Sequence, residues 1–123
     1  MVINVFDQNK ENWVIGNLKH SGFYRVNYDN ENWNLLIAQL NSDAYEIIDD
    51  ISRAQLIDDS FSLGRAEIID QTIFLNVVKY LKREISGIPF EAAVEGFNYI
   101  DNMLSVDYIA SESFKVFRIL IFF

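Results

Sequence analysis

From Asp29 onward the chain repeats one pattern, apolar residues spaced three and four apart and then a short polar break. Trp33, Leu36, Ile37 and Leu40 fall at i, i+3, i+4 and i+7, one stripe of an amphipathic helix. Asp29 stands where the N-cap belongs and Glu31 complements the dipole in the first turn, while Asn41-Ser42-Asp43 stops the element. A second helix starts near Asp49 or Ser52. Ser52 with Gln55 has capping-box spacing, whereas Asp49 and Asp50 favour the earlier start. Leu56, Ile57, Phe61 and Leu63 form its buried side, and Gly64 lies near its end. Asp70 is the expected cap of a third helix, with Ile73, Phe74, Val77, Val78 and Leu81 on one face and Lys79, Lys82 and Arg83 in its last turns, at the negative end of the dipole. Gly87-Ile88-Pro89 opens a fourth, with Pro89 expected at a first helical position. Phe90, Ala93, Val94, Phe97, Ile100 and Leu104 mark its stripe, and a fifth helix runs from about Asp107.

Ahead of these helices the reading changes period. Asn12 to Leu18 alternates loosely, Lys19-His20-Ser21-Gly22 is a polar break, and Phe23 to Tyr28 is aromatic and β-branched, which predicts a hairpin. Two strands alone are marginal in water, so the hairpin calls for a larger sheet. The expected class is therefore mainly α, an antiparallel helical array of the α-solenoid or HEAT-like kind preceded by a short β-hairpin. Residues 1–28 form the hairpin and residues 29–123 the array. Phe114, Phe117, Ile119, Leu120, Ile121, Phe122 and Phe123 make an apolar end with no polar cap, so the array is expected to be a truncated one that exposes apolar surface there.

Composition narrows the function classes. Across 123 residues, half are hydrophobic and 15% aromatic, a folded composition of single-domain size. The formal charge of −8 argues against nucleic acid and against an anionic membrane surface. Without Cys there is no disulfide framework, thiolate nucleophile or Cys-based metal site. Met1-Val2-Ile3-Asn4-Val5-Phe6-Asp7 has no signal-peptide pattern, and the apolar run Ile119 to Phe123 is far shorter than the ~20 residues of a membrane span.

Candidate chemistry is thin. A zinc peptidase needs two His one helical turn apart with a Glu beside the first, and this chain has the single His20, expected to be solvated. Asp49-Asp50 and Asp58-Asp59 are adjacent acids, but neighbours on a helix point about 100° apart. Their structural reading is dipole compensation for the first pair and an ion pair with Arg53 or Arg65 for the second. Ser21, Ser52, Ser60, Ser111 and Ser113 have no glycine elbow around them. The aromatic groups Phe23/Tyr24/Tyr28 and Trp13/Trp33 fit a core better than a stacking platform. No catalytic, cofactor-binding or metal-ligating residue is assigned.

Three blocks, in order, carry a resemblance: Gly22-Phe23-Tyr24-Arg25-Val26-Asn27-Tyr28-Asp29, then Ser52-Arg53-Ala54-Gln55-Leu56-Ile57-Asp58-Asp59-Ser60-Phe61, then Val78-Lys79-Tyr80-Leu81-Lys82-Arg83-Glu84 through Pro89-Phe90 and Ala93 to Phe97. Over Trp13 to Phe117 the chain resembles the segment that aminopeptidase N-like zinc aminopeptidases carry after their catalytic domain. The resemblance implies that residues to about Tyr28 end a β-sandwich and that the rest begins the helical C-terminal domain, which closes over the peptide chamber. It implies zinc in the catalytic domain and none in this chain, and partners that are peptides or the missing aminopeptidase domains. Family members are membrane-anchored, secretory-pathway or cytoplasmic, so no compartment follows. The expected role is a non-catalytic fragment of such an enzyme, the alternative being a free-standing helical protein- or peptide-interaction module.

Overall fold

A computed structural model describes residues 2–5, 12–20 and 22–122. Of the positions read above, Met1, Phe6, Asp7, Ser21 and Phe123 lie outside them. Strand β1 (Val2–Val5) comes first, then a 3-10 turn (Leu18–His20) and strand β2 (Arg25–Tyr28). Helices α1 (Asn30–Leu40), α2 (Asp50–Arg65), α3 (Thr72–Val78), α4 (Gly87–Leu104) and α5 (Tyr108–Phe122) follow, with 3-10 turns at Tyr45–Ile47 and Lys79–Arg83. The mainly helical class with a two-stranded sheet before it is the expected one.

The caps follow local chemistry. Asp29 Oδ1 accepts from the Asn32 amide at 2.8 Å, and Asp49 Oδ2 accepts from Ser52 N at 3.1 Å, so Asp49 starts α2. Asp70 takes the Thr72 amide at 2.8 Å, and Asp107 takes the Ala110 amide at 3.1 Å. Pro89 is not at the first position of α4. Ser86 caps that helix, accepting from Ile88 N at 3.4 Å, and Pro89 sits two residues inside, still among the first amides that lack an intrahelical partner. At the far end of α2, Gly64 lies one residue before the last, as expected, and the end itself is closed without a glycine. Glu67 N donates to Gly64 O at 3.0 Å and Ile68 N to Leu63 O at 2.9 Å, a Schellman closure that puts Glu67 at φ 61° where glycine is usual.

The sheet departs from the expected hairpin. Arg25–Tyr28 is a strand, but its partner is β1, paired in parallel from Val2 with Arg25 to Val5 with Tyr28. Residues 13–17 form no strand. Their hydrogen bonds pair backbone with side chains instead: Val14 N donates to Asn32 Oδ1 (2.8 Å), Gly16 N to the Tyr28 hydroxyl (3.0 Å), and the Asn17 side-chain Nδ2 to the Gly22 and Tyr24 carbonyls (3.0 and 3.1 Å). Asn17, Lys19 and His20 adopt positive φ near 53–56°, a tight left-handed passage incompatible with a ladder.

Packing centres on α2, which touches α3, α4, β2 and the first 3-10 turn, while α1 packs on α3 and α5 on α4 and the Lys79–Arg83 turn. Trp33, Leu36, Leu40, Ile57, Val77, Val78, Tyr80 and Phe97 are sealed from solvent. Burying side chains of this size contributes about 1.5–3 kcal/mol each relative to leaving them exposed. Trp33 meets Tyr28 edge-to-face at 5.1 Å, so this part of the aromatic group is core, as expected. Phe23 is not: it is 99% exposed, on the opposite side of the alternation from Val26 and Tyr28.

Candidate functional site at the junction of three motif blocks

The three blocks meet in space along the first half of α2. Arg53, on its first turns, reaches Glu84 just past the Lys79–Arg83 turn. Its Nε donates to Glu84 Oε2 at 2.8 Å and Nη2 to Oε1 at 2.9 Å, a bidentate pair with side chains 6% and 0% exposed. Tyr80 donates its hydroxyl to Glu84 Oε2 at 2.7 Å, and the Ile85 and Ser86 amides donate to Oε1 at 3.2 and 3.1 Å. Arg53 Nη1 takes up the Ile48 carbonyl at 2.6 Å, and the guanidinium lies 5.1 Å from the Tyr45 ring centroid. Burial alone would raise the Glu84 carboxyl, but the bonds from Arg53, Tyr80 and Ser86 outweigh it and hold it below the usual carboxylate range. Burial and the Glu84 charge push the Tyr80 hydroxyl well above its ordinary value.

On the other side of α2, Arg25 of β2 bridges Asp58 at 2.7 Å and Asp59 at 3.2 Å. Asp59 also accepts from Val26 N at 3.3 Å and from Gln55 Nε2 at 2.7 Å, and its side chain is 2% exposed. Burial raises its carboxyl to about 6 against those donors, with the Asp58 charge acting in the same direction. The expected partners of these acids, Arg53 and Arg65, are not the ones used. Neither stands three or four residues from Asp58 or Asp59, the spacing at which helix side chains meet, so the cation comes from β2. Arg65 instead lies over the Tyr99 ring at 4.5 Å.

The remaining candidates are placed as follows. His20 is exposed, with Nδ1 bonded to Gln55 Oε1. Asp49 caps α2, and Asp50 accepts from Ser86 Oγ at 3.0 Å, tying the starts of α2 and α4 together. Ser52 Oγ accepts from Lys19 N at 3.0 Å, and Ser60 Oγ donates to Ile57 O at 3.0 Å. Ser111 and Ser113 lie on α5, away from this junction. Among the described residues no group of three or more His, Asp or Glu is arranged to hold a metal ion. No helix of those residues is long and apolar enough to cross a membrane.

Sequence reading had not assigned Arg25, Tyr80 or Glu84 to any site. Their signal was a charged or hydroxylated residue embedded among core positions inside each motif block, such as Glu84 after Tyr80-Leu81. What the arrangement does chemically is fasten a strand, a helix and a turn together through two arginines whose carboxylate partners lie elsewhere in the chain.

Residues 13–122 match the ERAP1-like C-terminal domain family. The chain is 48% identical over 98 residues to aminopeptidase N of Plutella xylostella, covering 80% of this chain and 10% of that protein. It is 38% identical over 109 residues to the thyrotropin-releasing hormone-degrading ectoenzyme of Rattus norvegicus, covering 89% of this chain and 10% of the ectoenzyme. With aminopeptidase Ey of Gallus gallus the identity is 39% over 98 residues, again 80% of this chain and 10% of the other. It thus spans about a tenth of the length of the curated relatives it matches. With the blocks, the helical order and the matches in agreement, this chain belongs to the ERAP1-like C-terminal domain family of the aminopeptidase N-like metallopeptidases.

Proposed function

We propose that the chain serves as a non-catalytic helical segment that docks against the other domains of an aminopeptidase. In this reading residues 1–28 continue a β-sandwich supplied by the preceding domain and residues 29–123 open the helical C-terminal domain. The zinc and the hydrolytic residues belong to the catalytic domain. The observation that carries the reading is where exposed apolar side chains lie. Phe23 (99% exposed) with Val2, Ile3 and Leu18 marks the strand end, and Val106 (95%), Tyr108, Ile109, Val116, Ile119 and Leu120 mark α5 and the loop before it. Two apolar ends on an otherwise acidic chain suit neighbours on both sides. The motif residues support it too, because Arg25, Arg53, Asp59 and Glu84 are occupied by one another.

The test is a chimera in which this chain replaces the corresponding segment of the Plutella xylostella aminopeptidase N. Retained aminoacyl-anilide hydrolysis is the expected result, with no turnover by the chain alone. Hydrolysis by the pure chain overturns the non-catalytic role. A chain that melts cooperatively as a monomer, binds no apolar dye and fails in the chimera overturns docking, and favours the free-standing peptide-interaction module.

A further inference from the structure

The second half of α2 borders a concavity of about 50 Å³ that the docking role does not use. Phe61 and Phe74 form its floor with ring centroids 5.4 Å apart, and Tyr99 stands edge-on to Phe61 at 5.5 Å. Ile100 and Met103 of α4 line its side. At the mouth are Arg65 and Gln71.

These two polar groups are available. Among the described residues Arg65 forms no ion pair and is steadied only by the Tyr99 ring, 4.5 Å from its guanidinium carbon. The Gln71 amide makes no side-chain hydrogen bond among them either. In a chain with 18 acidic and 10 basic residues, a guanidinium held in place without a carboxylate is unusual. Asp70, close in sequence, is turned to the Thr72 amide and hydroxyl, both at 2.8 Å. A single water needs roughly 10–15 Å³ by this kind of measure and benzene fills an engineered cavity of roughly 150 Å³, so about 50 Å³ takes a small group of about two to four carbons, at most a branched one.

We propose that this concavity is a binding site for a small carboxylate with a branched aliphatic tail. The tail lies on Phe61, Phe74 and Met103, and the carboxylate meets Arg65, with the Gln71 amide as a second donor. Fork geometry makes arginine the suited cation, and the aromatic floor excludes water from the tail. The inference stands apart from the docking role, so failure of one leaves the other intact.

The experiment titrates 3-methylbutanoate into the 123-residue chain and follows aromatic and methyl NMR shifts. The expected result is saturable shifts at Phe74, Tyr99 and Met103, in the millimolar range appropriate to so small a ligand. Three arms isolate the chemistry. Acetate, which lacks the tail, 3-methylbutanamide, which lacks the charge, and the Arg65→Gln variant each weaken binding at least tenfold. Met103→Asp, which sets a competing carboxylate beside Arg65, abolishes it. Because Arg65 and Met103 are exposed, unchanged melting is expected of both variants. Should Met103→Asp fail to fold, the amide and Arg65→Gln arms decide alone. Binding of the amide as tight as that of the acid, equal affinity in Arg65→Gln, or no saturable shift by about 50 mM overturns the proposal.

Discussion

The first half of α2, Ser52 to Asp59, buries Arg53, Gln55 and Asp59 beside Leu56 and Ile57, whereas its second half, Ser60 to Gly64, buries Phe61 and Leu63 against α3 and α4. In the first half every buried charge must meet a particular counterpart, Glu84 for Arg53 and Arg25 for Asp59. An uncompensated ion in the interior costs several kcal/mol, so residue identity is dictated there. In the second half the constraint is shape. A Cβ on Gly96 of α4 would come within 2.7 Å of the Phe74 ring and 3.2 Å of the Phe61 ring, so α4 approaches α2 and α3 through a bare Cα. The second motif block, Ser52 to Phe61, falls mostly in the polar half.

The largest effect should come from Glu84→Gln. It leaves the Arg53 guanidinium buried without its counter-charge and should cost about 3–5 kcal/mol in urea unfolding. Replacing both residues with Met and Leu should recover much of that loss. If the single change costs less than the double, the polar half is not specified by charge pairing.

Next is the pH response of Asp59. Its carboxyl is raised to about 6 in the folded chain, above its unfolded value, so ionisation works against folding. The stability linked to its protonated form is fully present below the unfolded value near 4 and lost as pH rises through about 6, a change of roughly 2–3 kcal/mol. Glu84, held low, acts oppositely: its contribution is present above the unfolded carboxylate value and fades as pH falls through the folded one. Thermal melts between pH 3 and 7 should therefore show a maximum in mild acid, with the alkaline side flattened in Asp59→Asn. A curve for Asp59→Asn parallel to the parent would remove Asp59 from the account.

In the shape-governed half, Gly96→Ala should destabilise by about 1 kcal/mol. Overpacking against Phe74 and Phe61 costs about 1–3 kcal/mol, offset by about 0.5–1 kcal/mol of helix preference. A gain in melting temperature would mean the rings yield easily and the contrast is weaker than drawn. The smallest effect is at the end of that half. Glu67→Gly should stabilise by about 0.5 kcal/mol, because relief of the left-handed strain at φ 61° exceeds the entropy that glycine loses, measured by the same melts.

Much of the local structure was legible. Asp29 and Asp70 cap as their positions predict, the fifth helix starts at Asp107 as expected, Asp49 proved the better of two candidates for α2, and Trp33, Leu36, Phe74, Val77, Ala93 and Phe97 of the stripes are buried, whereas Val94 of the fourth stripe faces solvent. Such features depend on residues within one or two turns, so spacing reports them. The junction was not legible. Arg53 and Glu84 are 31 residues apart, Arg25 and Asp59 are 34 apart, and no periodicity couples them. Buried Arg53, Gln55 and Asp59 also defeat a stripe reading, which assigns charged positions to solvent.

By itself the sequence determined the order of the helices, most of their starts and the family, since capping chemistry, a 3.6-residue repeat and ordered motif blocks act or are recognised along the chain. Only the tertiary structure decided that β2 pairs in parallel with Val2–Val5 and not with its neighbour, which arginine meets which carboxylate, and that Arg65 stands over an aromatic hollow. Those outcomes depend on how distant segments compete for the same partners once collapsed, and that competition is settled by burial and charge in three dimensions.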